Sequence, residues 1–155
     1  MITPKMTVEE KWNNRIFEHG PFFIIEMPPD PSFLYHEGVA MQHCLEFCYR
    51  EYAERMRIGA QRQFSLIDTR DGQPKVDIEL SIQESSYSGP VAYPVVTQIR
   101  GIRNQCPPAD EYLDAILRFF EVVGPAWVLT DHGVRNFDGQ CDGDKVVERW
   151  IELSS

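Results

Sequence analysis

The chain is 155 residues long, enough to bury a core without disulfide staples, and its composition is that of an ordinary globular protein. Its formal charge is −9, from 24 acidic and 15 basic side chains, which argues against affinity built mainly on phosphate contacts. No apolar run is long enough to span a bilayer, and residues 1–6 lack the apolar core of a secretory signal, so a cytoplasmic protein with no membrane partner is expected.

Thr7 to Phe17 reads as a short helix, with Thr7 as N-cap, Glu10 as its capping-box partner and an apolar stripe of Val8, Trp12 and Ile16. His19, Gly20 and Pro21 stop it. Phe22 to Met27 is β-branched and aromatic enough for a strand, which the prolines at 28, 29 and 31 end. Phe33 to Gly38 has no clear pattern. The main helix is then predicted over Val39 to Ile58. Met41, Leu45, Cys48, Tyr52 and Met56 form its apolar face, and Gly59 its C-terminal stop.

Phe64 to Asp68 and Lys75 to Ile82 are predicted as a hairpin turning at Asp71-Gly72. Val76, Ile78, Leu80 and Ile82 alternate with Asp77, Glu79 and Ser81, so one strand face is buried and the other is wet or lines a site. Gln83 to Pro94 reads as a polar connection and Val95 to Gly101 as a third strand. A second helix is predicted over Ala109 to Val123, then a short strand over Trp127 to Thr130. Asp131 to Asp144 reads as a Gly/Asp-rich loop, and Lys145 to Leu153 as a strand-like or short helical end. The expectation is one α+β domain over 1–155, with its core in 33–124. A long central helix packs on a small antiparallel sheet of three or more strands, and 7–27 and 125–155 pack on that core.

Several spaced motifs carry a resemblance. Met41, His43 and Cys44 open the helix, Tyr52 and Gly59 follow, and Ser65 and Leu66 sit in the next strand. Gln98, Gly101 and Asn104 then form a Gln-x-x-Gly-x-x-Asn pattern, with Pro107 soon after. Over residues 38–108 the chain resembles the PcfJ-like family of conjugative plasmids, phages and other mobile elements. Asp77 stands where that pattern often has Thr. The resemblance implies a mobile-element setting and no established reaction.

The candidate catalytic residue is Cys44, whose thiolate a helix N-terminus favours; the layout suggests a papain-like hydrolase or transferase. His43 is adjacent in sequence and points to a different side of a helix, so it is a poor base for Cys44. The bland alternative makes Cys44 and Cys48 reduced core thiols. His43, Asp77, Gln98, Arg100 and Asn104 are the candidate binding residues, with Gly101 permitting a close approach. Arg55, Arg57, Arg62, Arg70, Arg100 and Arg103 are candidates for a local basic patch. No metal and no cofactor is expected. The Asp138–Asp144 stretch mimics a calcium loop only in part, because Arg149 stands where a bidentate Glu is needed. The leading expectation is an accessory protein that binds a host or element-encoded protein, one outcome being inhibition of a host nucleic-acid-handling or defence system. A Cys44 enzyme and a small-ligand or nucleotide binder using Gln98, Arg100 and Asn104 are the alternatives.

Overall fold

The computed structural model describes residues 1–85, 91–105, 107–123, 149, 152 and 153. Among them, strands β1 (Arg15–His19), β2 (Phe22–Glu26), β3 (Gln61–Asp68), β4 (Pro74–Ser85) and β5 (Val91–Gly101) form one antiparallel sheet in sequence order. The helices are α1 (Val8–Asn13), α2 (Pro31–Met41), α3 (Leu45–Arg57) and α4 (Asp110–Val123). The fold is α+β. None of these helices is long and apolar enough to cross a membrane.

The period-two pattern of the strands sorts side chains onto two faces. On one face Phe64, Leu66, Val76, Ile78, Leu80, Val96 and Ile99 pack with Ala115, Ile116, Phe119 and Phe120 of α4. On the other, Phe23, Ile25, Met27 and Ile67 pack with Phe33, Leu34, Leu45 and Ala53 of α2 and α3. That second face changes character towards β4 and β5. The register there aligns Ser65 with Asp77 and Arg100, and Gln63 with Glu79 and Gln98. A polar strip therefore runs beneath the junction of α2 and α3.

Two elements differ from the sequence pattern. The predicted helix over 7–17 ends at Asn13, and Ile16 and Phe17 belong to β1, which turns into β2 at Gly20 (φ 57°). The predicted long helix over 39–58 is two helices. Asp30 caps α2 by accepting from the Ser32 amide, with Pro31 in its first turn. Gln42 then takes a left-handed conformation (φ 55°, ψ 50°), and the His43 amide bonds back to the Gly38 carbonyl (3.2 Å), ending α2. The crossing depends on Gly38, because a Cβ there would come within 2.0 Å of the Glu46 amide nitrogen. The hairpin at Asp71-Gly72 forms as the sequence indicates, with Gly72 at φ 72°. The expected 83–94 connection is shorter, since β4 runs to Ser85 and β5 starts at Val91. The predicted strand at 127–130 and the calcium-like loop lie outside the described residues. So does the C-terminal end over 145–153, apart from residues 149, 152 and 153.

Candidate functional site

The break between α2 and α3 places His43 and Cys44 directly over the polar strip. His43, Cys44, Tyr52, Asp77, Glu79, Gln98, Arg100 and Asn104 line one notch with a cavity of about 20 Å³, room for about one water. The candidate residues His43, Cys44, Asp77, Gln98, Arg100 and Asn104 thus meet, although they come from a helix junction, two strands and the 3-10 turn after β5.

His43 is 9% exposed and turned inward. Its Nε2 lies 2.5 Å from Asp77 Oδ2, and its Nδ1 accepts from the Leu45 amide at 3.3 Å. The amide can only donate, so Nδ1 carries the lone pair and Nε2–H donates to Asp77. Burial holds the imidazole pKa below its ordinary value, in keeping with that neutral tautomer.

Asp77 leads to a residue absent from the sequence reading. Among the described residues its Oδ1 meets no N–H or hydroxyl donor, and its carboxyl pairs by hydrogen bond with that of Glu37. Glu37 Oε2 in turn accepts from Ser65 Oγ at 2.6 Å. Two carboxyls cannot share so dry a space while both ionised. Burial, the Asp77 charge and their hydrogen bond keep Glu37 protonated far above the usual carboxylate range. Burial pushes Asp77 up to about 7. The chain Ser65–Glu37–Asp77–His43 therefore holds one negative charge above neutrality and takes up a proton near it.

The rest of the notch is held as firmly. Glu79 accepts from Gln63 Nε2 (3.1 Å) and Thr97 Oγ1 (2.7 Å). Thr97 is the extra residue of a bulge, since Glu79 pairs with Gln98 and Leu80 with Val96. Arg100 Nη1 donates to Asn104 Oδ1 at 3.2 Å. Gln42, Arg103 and Asn104 all have positive φ (55°, 56° and 60°), and Arg103 Nε donates to Gln42 Oε1 at 2.8 Å. These are the non-glycine residues with positive φ among the described ones; Asn104 lines the notch, and Gln42 and Arg103 are the chain neighbours of its lining residues His43 and Asn104. Backbone held in this costly region is characteristic of functional sites.

No family model matches the chain, and no curated protein matches it. Among solved structures it is similar to ribosomal-protein-S5-alanine acetyltransferase from Vibrio fischeri, with a TM-score of 0.43 and 8% identity over 71% of this chain and 67% of that one. So distant a likeness carries no functional argument.

Cys44 is exposed at the rim of the notch as the N-cap residue of α3. Burial of its sulfur and the neighbouring Cys48 push the thiol pKa up, outweighing Arg100. The thiolate that a helix N-terminus was expected to favour is thus opposed, and the picture of Cys44 as a core thiol does not fit its exposure either. The arginines do not gather into a basic patch. Arg57 pairs with Glu54, Arg62 with Glu26, and Arg70 with Asp68 and Glu111, while Arg103 bonds to Gln42. Among the described residues no group of three His, Cys, Asp or Glu side chains is placed to hold a metal ion. Glu37, Ser65, Glu79 and Thr97 were missed as site residues. Asp30-Pro31-Ser32 was the signal for the helix that carries Glu37, being an N-cap followed by proline in the first turn.

Proposed function

We propose that this is a binding protein of PcfJ-like, mobile-element character that engages a protein partner through the notch at the α2–α3 junction. The observation that carries the reading is the convergence of His43, Asp77, Glu79, Gln98, Arg100 and Asn104 on a water-sized recess, with Asn104 itself at positive φ. A recess of that size takes the tip of one polar side chain, with Glu79 and Asp77 as acceptors and Arg100 as donor, and fixes its orientation. The net charge of −9 favours a partner with a basic face, such as a nucleic-acid-handling protein of the host or element. A nucleotide occupies several hundred Å³ and does not fit the recess. The catalytic alternative lacks a base at Cys44, because one ring nitrogen of His43 is bonded to Asp77 and the other to the Leu45 amide.

The test is affinity capture from host lysate at moderate salt with the parent chain and the Gln98→Ala and Asn104→Ala variants. The parent is expected to recover a stoichiometric partner, less of it as salt rises. The variants are expected to bind about tenfold more weakly. No stoichiometric partner, or one indifferent to both substitutions, would overturn the reading.

A further inference from the structure

Glu37, whose carboxyl meets Asp77 behind the notch, also lines a second and larger concavity of about 470 Å³. This one lies between residues 5–11, α2 and the β3–β4 turn. Its size is that of a small organic ligand rather than of a side-chain tip. Met6, Phe33 and Val39 give it an apolar wall, and Lys5 and Lys11 are its cations. Among the described residues of the lining the one carboxyl is that of Glu37, whose pKa burial raises well above the usual carboxylate range. In a chain of net charge −9, the described lining of this concavity carries two lysines against a single carboxyl.

The walls are fixed in place. The Thr3 amide donates to Ser32 Oγ (2.8 Å), and His36 Nε2–H donates to the Thr3 carbonyl (2.7 Å), pinning the N-terminal segment along α2. Val8 of α1 abuts Gly72 so closely that a Cβ on that glycine would lie 2.5 Å from Val8 Cγ2. The Lys11 ammonium sits 5.6 Å from the centre of the Phe33 ring, a charge held over an apolar surface.

From this combination we infer that the concavity between the N-terminal segment and α2 binds a small organic anion: an apolar, aryl or alkyl body seated on Phe33 and Val39, with a single carboxylate paired to Lys11 and Lys5. Two lysine ammoniums, with no guanidinium fork among the described lining residues, match one carboxylate better than a phosphate, which draws on more donors. The site is separate from the notch and asks nothing of the partner proposed there.

The experiment is a titration of the isotope-labelled chain with phenylbutyrate, phenylbutanol and phenylbutylamine, followed by amide shifts. Phenylbutyrate is expected to shift the Phe33, Val39 and Gly72 amides saturably, and phenylbutanol to bind about tenfold more weakly. Lys11→Met keeps the apolar stem and is expected to weaken phenylbutyrate about tenfold with an unchanged Tm. Lys5→Met, at an exposed position, gives the same direction without touching the core, and Gln98→Ala binds as the parent does. The inference is overturned if no saturable shift occurs, if the amine binds as well as the acid, or if both lysine variants bind like the parent.

Discussion

A carboxyl that is 2% exposed and faces a second carboxyl cannot ionise beside it without a large desolvation cost, so Glu37 enters the folded state as an acid. Asp77 has a folded pKa of about 7 against an ordinary 3.8, and Glu37 is shifted in the same direction. Between those limits the folded chain holds more protons than the unfolded one, so stability falls as pH rises through that window. His43 is shifted down and acts oppositely below 6.5, but two carboxyls outweigh one imidazole. Urea midpoints are therefore expected to decline from about pH 5 to about pH 8. Below that range the ion pairs of Asp68 with Arg70 and of Asp71 with Lys75 are lost on acidification. Glu37→Gln keeps a donor towards Asp77 and an acceptor for Ser65, so its decline should be shallower. A variant as steep as the parent would remove Glu37 from this account. The residues facing the notch were legible because amide and acidic side chains stood in strand alternation with apolar ones. Glu37 was not, because a buried carboxyl on a helix reads as solvated until its neighbour is known.

At the scale of elements, the spacing of Met41, Leu45, Cys48, Tyr52 and Met56 runs unbroken across the α2–α3 junction, and hydrophobic periodicity alone cannot show the break. Neither Gly nor Pro stands at 42; Gln42 adopts the left-handed conformation itself, held by Arg103. The steric requirement falls on Gly38, where the α3 backbone comes within contact distance. Gly38→Ala is expected to destabilise by about 3 kcal/mol, because backbone on both sides would have to move. Gln42→Gly, which relieves a left-handed residue at the cost of an exposed hydrogen bond, should stay within about 1 kcal/mol of the parent. Urea melts of the two variants separate the cases, and a Gly38→Ala protein as stable as the parent would contradict this packing. The β3–β4 hairpin and α4 were legible because Asp71-Gly72 and the stripe through Ile116 and Phe120 each have one local solution. The β1–β2 hairpin was hidden by Val8, Trp12 and Ile16, which mimic a helical face across Asn14.

For the molecule as a whole, the pairs β1–β2, β3–β4 and β4–β5 are joined by short connections, whereas β2 reaches β3 only across α2 and α3, and the notch likewise joins distant positions: His43 to Asp77, and Gln42 to Arg103. Closing short loops costs less entropy than closing long ones. The short connections therefore set an order of assembly, in which β3, β4 and β5 pair first and the α2–α3 junction docks onto them late, as β2 joins the sheet. Stopped-flow kinetics should show His43→Gln unfolding faster with its refolding rate nearly unchanged, and Ile78→Val, at the sheet centre, refolding more slowly. A refolding rate lowered mainly by His43→Gln would reverse that order. A surface completed last on folding is also the first to open, so the notch can come apart and re-form while strands β3 to β5 beneath it stay paired.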